Sequence, residues 1–294
     1  MFKPNSALCD QVAQKDYCSR LRTLLSMIGT AVVASLLFSA SSQANGLDSA
    51  NNMQNGLNVS MLRYQDKRYV DVTLDLKQLS LVHHWQDPTT ETNFGSFHKL
   101  GQYLRQANEE MLFAINSGIY TKDYKPLGLH IENSKLLMPL NLVKSNEGKG
   151  NFSLFPNGVF YITKQNRAFV MDSDRFQARF KGDYQTIKDA VQSGPMLLTN
   201  GQYNPYFIKN SDSLRIRSGV CALNNGQEVH FVVTEDQVNF YEFASYFKEQ
   251  LACQNALYLD GTLARIYLNG RMYGASFWQV KPLVGIWSVS KKAL

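Results

Sequence analysis

Charge is scarce in this chain. Asp, Glu, Lys and Arg make up 18% of its 294 residues, and no long basic run occurs. A nucleic-acid surface is therefore not expected. There is no Walker A loop and no glycine fingerprint for a dinucleotide. The histidines, His83, His84, His98, His130 and His230, form no His-Glu-x-x-His pattern, and the four cysteines form no Cys-x-x-Cys. A zinc site is not expected on that spacing, and no cofactor is implied. Internal repeats, low-complexity blocks and long linkers are absent after residue 56.

What is present begins with an N-terminal segment to set aside. Lys3, Lys15, Arg20 and Arg22 lead into an uncharged apolar run from Leu24 to Ala40, followed by Ser42 and Ala44. That is the pattern of a cleaved secretory signal over residues 1–44. A run of about 17 residues is at the short limit for a membrane span, so an uncleaved anchor is the competing reading. No cysteine follows the run to carry a lipid. Export implies a periplasmic or secreted protein without stable membrane insertion. Of the formal net charge of +6, residues 1–44 hold +2 (four cations against Asp10 and Asp16), leaving +4. Cys221 and Cys253 remain after cleavage. In an oxidising compartment they can bridge, and two buried thiols are the alternative.

Residues 45–56 are polar and Asn-rich, a flexible lead. Residues 57–294 read as one domain. Hydrophobic residues are 44% of the chain, with 15 Tyr and 17 Phe, which suits strands. Val70, Val72, Leu74 and Leu76 alternate with Asp71, Thr73 and Asp75, the strand period. Downstream, paired apolar runs flank Asn-Ser-Lys, Lys-Gln-Asn-Arg, Asn-Gly and Asn-Asn-Gly turns. Two helices are expected. Ser96 precedes an apolar stripe at Phe97, Leu100, Leu104, Ala107 and Met111. Asn239 and Glu242 form a capping box ahead of Phe240, Phe243, Ala244, Phe247 and Leu251. The fold class is α+β: a single mixed, largely antiparallel β-sheet domain with a few flanking helices.

Four segments interrupt apolar strands with polar residues and glycine. In "AINSGIY", Asn116 closes a strand and Gly118 frees the turn, so the amide is placed for a substrate hydroxyl or for the turn itself. In "QSGPMLLTNG", Ser193 and Gly194 can offer a hydroxyl and backbone N–H groups to an anionic oxygen. No Gly-x-Ser-x-Gly surrounds Ser193 as a nucleophile would want. In "DSLRIRSG", Arg215 and Arg217 stand two apart, on one side of an extended chain, and guanidinium forks suit phosphate. In "NALYLDGTLARIYLNG", a buried-looking strand delivers Asp260 onto Gly261 and Thr262. A carboxylate there can act as an acid or base, or grip sugar hydroxyls. Glu132 and Glu235 stand at strand ends as possible second carboxylates, and His130 is the one histidine kept as a site candidate.

Taken in order, "INSGIYTKDYKPLGLHIENSK", "QSGPMLLTNGQ", "RIRSGV" and "NALYLDGTLARIY" resemble the phosphodiester glycosidases related to the mammalian enzyme that uncovers mannose 6-phosphate by removing N-acetylglucosamine. The likeness spans roughly residues 110–285 and looks closest to a compact exported bacterial branch. The family often has two glycines after the acid, where Thr262 follows Gly261 here. Its later serine is replaced by Ala264 or Arg265, and Gly219 stands where alanine is common. These departures bear on sugar specificity.

The resemblance implies an exported hydrolase that cleaves the glycosidic bond of a sugar-1-phosphodiester, releasing sugar and a phosphomonoester. Asp260, Arg217 and Glu132 would be catalytic. Asn116, Gly118, Ser193, Gly194, Arg215, Gly261 and Thr262 would bind substrate. The alternative is a binding module that holds an envelope glycan or phosphoglycan without cleaving it.

Overall fold

Two features of the 57–75 stretch fix the first strand pair. Apolar residues alternate along both runs, and Gln65 and Asp66 take positive φ values of 48° and 61° between them. The result is a two-residue hairpin of β1 (Leu57–Tyr64) and β2 (Lys67–Asp75), with Val59 opposite Val72. In this computed structural model, residues 55–144, 154–261, 263–275 and 281–293 are described. The expected signal segment 1–44, most of the expected 45–56 lead, and Thr262 lie outside them.

The strands form three sheets, and every pairing among the described residues is antiparallel. The largest has the order β1, β2, β13 (Glu228–Thr234), β12 (Ser218–Leu223), β14 (Ala256–Tyr258), β10 (Met196–Thr199), β11 (Gln202–Tyr203). The second runs β16 (Arg271–Gly274), β15 (Arg265–Leu268), β4 (Glu109–Asn116), β17 (Ile286–Lys292), β3 (Val82–His84). The third runs β6 (Lys135–Met138), β5 (His130–Glu132), β9 (Ile187–Ser193), β7 (Gly158–Thr163), β8 (Ala168–Asp172). The α+β expectation holds, with three sheets around one core.

That core is where the inner faces meet. Phe231 of the first sheet packs against Phe113 of the second and Phe160 of the third at centroid distances of 5.4 and 5.6 Å. Phe160 meets Trp287 edge to face at 4.9 Å. Large aromatics in such offset contacts contribute beyond their buried area.

Helices cover the outer faces. Helix α1 (Phe97–Gln106) starts at Ser96, whose hydroxyl accepts from Lys99 N. It ends one turn earlier than its stripe suggests, because Asn108 turns the chain at φ 56° and Met111 already belongs to β4. Helix α2 (Ser173–Phe180) was not apparent from the sequence; it buries Phe176 against Tyr161. Helix α3 (Phe240–Ser245) has both halves of the expected capping box and passes into a π turn, Tyr246–Gln250. Its Phe243 and the turn's Phe247 seal the outer face of β12 and β14. Among the described residues, no helix is long and apolar enough to cross a membrane.

Of the two readings open for the cysteines, the structure has the bridge. Cys221 on β12 bonds Cys253 after the π turn, across 32 residues. Closing a loop of that length removes roughly 3–4 kcal/mol of unfolded-state entropy. The double variant Cys221→Ala, Cys253→Ala should therefore melt about 10 °C lower, read by circular dichroism. An unchanged transition would mean that the bridge contributes nothing.

Candidate active site

Asn116 is the residue around which the polar segments gather. It ends β4 and is 1% exposed. Its Nδ2 donates to the Asp260 carbonyl at 2.8 Å and to Ser218 Oγ at 3.1 Å. Its Oδ1 accepts from Arg265 N at 3.1 Å. One side chain therefore pins both ends of the 260–265 segment. Asp260 N donates to the Ser117 carbonyl at 3.1 Å, and Ser218 Oγ donates to the Asp260 carbonyl at 3.2 Å. These bonds use the backbone of Asp260 and leave its carboxylate to be placed by the strand end. Asn116 is a clamp: both of its N–H donors are committed within the protein, in place of the expected contact with a substrate hydroxyl.

Strand register brings the arginine segment to the same place. Gly219 pairs with Tyr258, and Leu259 N donates to the Ser218 carbonyl. One further step sets Arg217 opposite Asp260, so Arg217, Tyr258 and Asp260 share a face. Arg217 is 2% exposed. Its Nε donates to the Val238 carbonyl at 2.8 Å and its Nη2 to the Ser213 carbonyl at 2.9 Å. The guanidinium stacks 3.7 Å above the Phe240 ring and lies 5.5 Å from that of Tyr258. This corrects the expectation of Arg217 as a phosphate fork. Two of its donors serve backbone carbonyls, it also hydrogen-bonds the Tyr258 side chain, and the Phe240 ring covers one face. Arg215, one exposed step outward, keeps its charge toward solvent while interacting with Arg217 and Tyr258. Ile216 between them packs on the core as expected.

Two phenols flank the Asp260 carboxylate. Burial pushes Tyr258 up to about 12 against the pull of Arg217, and the Asp260 charge adds to the rise. Burial likewise pushes Tyr120 up to about 12, with Asp260 contributing. Both phenols are neutral O–H groups near neutral pH. Tyr120 is half-buried in a small hairpin, where Leu127 N donates to the Ile119 carbonyl.

The glycines act by close approach. A Cβ on Gly118 would press on the Gln192 carbonyl and Val191, and one on Gly261 would collide with the Tyr258 hydroxyl. Gly118 does not adopt a positive φ, so its expected turn-freeing role is replaced by this packing role. Ser193 is fully buried opposite Gly158 on β7, and Gly194 backs onto Asn157. Ser193 Oγ is buried with no hydrogen-bond partner among the described residues, and the carbonyl of the next residue but one, Pro195, accepts from Tyr258 N.

Glu132 sits beside His130 at the end of β5. Its Oε2 accepts from Trp85 N at 3.2 Å and lies 3.5 Å from His130 Nε2. His130 meets His83 edge to face at 4.6 Å, and His83 Nε2 lies 2.8 Å from Ser117 Oγ. Glu132 thus belongs to a group with His130 and His83 that reaches the Asp260 backbone through Ser117. Burial, with the neighbouring His130 and His84 adding, keeps His83 well below the usual imidazole range, so it is neutral. Glu235 lies 3.7 Å from Arg68 at the edge of the first sheet. A roomier cleft of about 660 Å³ lies under α1, lined by Phe97, Arg105, Met111, Tyr267 and Leu283, and none of the sequence-selected residues lines it.

The order of these segments along the chain has a counterpart in known proteins. The family model for phosphodiester glycosidases matches residues 109–279. The chain belongs to that family. A curated relative, the uncharacterized protein YigE of Escherichia coli K12, is 38% identical over 209 residues, 71% of this chain and 76% of its own. Among solved structures, the zebrafish N-acetylglucosamine-1-phosphodiester alpha-N-acetylglucosaminidase catalytic domain, auto-inhibited by its pro-peptide, aligns with a TM-score of 0.52 at 16% identity. It covers 80% of this chain and 82% of that one. A hypothetical protein from Synechocystis aligns with the same TM-score at 14% identity, over 80% and 61% of the two chains. At these identities the structural likeness establishes the fold.

Within this phosphodiester glycosidase fold, sequence reasoning missed Tyr120, Tyr258, Ser218, Ser117 and His83. Tyr258 sits in an apolar run, where a tyrosine reads as core. His83 lies on a three-residue strand with no motif around it. Ser117 and Ser218 stood inside selected segments, and only their backbone neighbours were singled out.

Proposed function

We propose that the protein is an exported hydrolase that cleaves the glycosidic bond of a sugar-1-phosphodiester. The observation that supports this most is the double clamp of Asn116 on the 260–265 segment. It holds Asp260, whose charge raises Tyr120 and Tyr258, at a strand end, with the exposed Arg215 acting on the same Tyr258. In this reading Asp260 takes a proton from water as the water oxygen bonds to the anomeric carbon. The bond from that carbon to the phosphate oxygen breaks, and the phosphomonoester leaves with the electron pair. A phosphate leaving group departs without strong protonation, so the demand falls on anion stabilisation. Arg215 supplies the charge. The half-buried Tyr120 offers its hydroxyl to the sugar, while the fully buried Tyr258 lies behind Asp260, its hydroxyl close to the chain at Gly261.

Activity is tested with an aryl phosphodiester of N-acetylglucosamine, reading free sugar. Arg215→Ala should raise KM about ten-fold or more with kcat less affected and the melting temperature unchanged, since the side chain is exposed. An unchanged KM would remove Arg215 from the site. A second reading, the non-catalytic glycan-binding module, draws on the fully buried Ala264, which sits where the family resemblance places a serine in one alignment. Tight binding without sugar release would select it.

Export is part of the same proposal. The buried Cys221–Cys253 bridge suits an oxidising compartment. Mass spectrometry of the periplasmic or secreted protein should find a mature N-terminus near Asn45. An intact N-terminus would contradict cleavage.

A further inference from the structure

The group behind Ser117 has a composition that the hydrolytic reading does not use. His83 on β3 and His130 on β5 are both essentially fully buried, and Glu132, two residues after His130, is partly open to solvent. One ring nitrogen from each histidine and one carboxylate oxygen lie within 4.8 Å of one another. The Nδ1 atoms of both rings are buried with no hydrogen-bond partner among the described residues. Two buried imidazole nitrogens without a partner, on rings one of which has its other nitrogen 3.5 Å from a carboxylate, are a costly arrangement for protein alone.

We propose that His83, His130 and Glu132 form a binding site for a divalent transition-metal ion of the zinc class. Two imidazoles and one carboxylate are a donor set that zinc accepts, with coordination left open for a further ligand. At about 2.0–2.2 Å from each donor, the ion draws the three donors inward to roughly 3.5 Å of one another. The surroundings already steer them. Ser117 Oγ holds His83 Nε2 at 2.8 Å, and Trp85 N donates to Glu132 Oε2, contacts of the kind that orient metal ligands. A Cβ on Gly285 would press against His83 Nε2, so the glycine keeps that side of the ring clear. The partly exposed Glu132 gives the ion a way in. The ligands come from separate strands, so the spacing rule that argued against zinc in the sequence never saw them.

The site is tested by metal binding, whether or not the protein cleaves sugars. The mature chain, purified without a histidine tag and stripped with chelator, is titrated with zinc chloride against a chromophoric competitor. Elemental analysis and melting are measured in parallel. The expected result is one equivalent bound and a clear rise in melting temperature. Glu132→Gln should weaken binding by about 100-fold, and the exposed His98→Ala should leave it unchanged. No binding by the wild-type chain overturns the proposal, so a variant that fails to fold does not decide it. Binding that survives both Glu132→Gln and His130→Gln, or that is lost in His98→Ala, also overturns it.

Discussion

An Asp260→Asn variant is expected to release sugar at least about 10³-fold more slowly than the wild type, a loss typical of removing a positioned proton acceptor. It should melt within about 2 °C of it. The separation of these effects comes from how the residue is held. Three bonds at this position are made by the backbone: the N–H to Ser117, and the carbonyl from Asn116 and Ser218. Asparagine keeps the shape and those bonds while losing the charge. Steady-state rates on the aryl phosphodiester and a thermal melt check both halves. Activity within ten-fold of wild type would take Asp260 out of the chemistry. A collapsed melt would make its carboxylate structural.

Arg217→Ala should behave in the opposite way, as a stability variant first. The side chain is almost fully buried, bonds two backbone carbonyls and lies on Phe240. Truncation leaves a hole under α3 and a carbonyl of Ser213 without its donor. Val238 O retains Arg215 N at 3.1 Å. The cost should be about 2–4 kcal/mol, a melting temperature lower by roughly 5–15 °C. Arg217→Lys keeps the charge but cannot span both carbonyls, so it should fall between. Denaturant titration gives the free energy. A wild-type transition with abolished turnover would restore the phosphate-holding role that the residue type suggests.

Arg217 marks where sequence reading ends. Two arginines flanking an inward isoleucine announce their common side, and that side is what the structure has. Nothing in the residue types tells that α3 closes over one arginine and leaves the other in water, because that depends on where a helix that begins 23 residues after Arg217 packs. The Asp260–Gly261 strand end was legible for the converse reason: an apolar run stopping on an acid and a glycine is a local event. Asn116 was legible as important and not as a clamp, since both of its partners, the 260 carbonyl and the 265 amide, are remote in sequence. Strand β9 was hidden by Lys188, Asp189 and Gln192, polar residues inside a strand buried on both faces. Their partners lie across the sheet: Asp189 accepts from Asn133 N, and the Gln192 side-chain amide bonds Leu129 N, Asn141 and Ser173.

The central claim is spatial: the sugar sits at the Asp260 strand end with the phosphate toward Arg215. An experimental structure of the mature chain with N-acetylglucosamine 1-phosphate tests it most directly. The account predicts a sugar hydroxyl within about 3 Å of the Asp260 carboxylate and the phosphate against Arg215. Ligand seated instead in the cleft under α1, beside Phe97 and Tyr267 with Asp260 untouched, would contradict it.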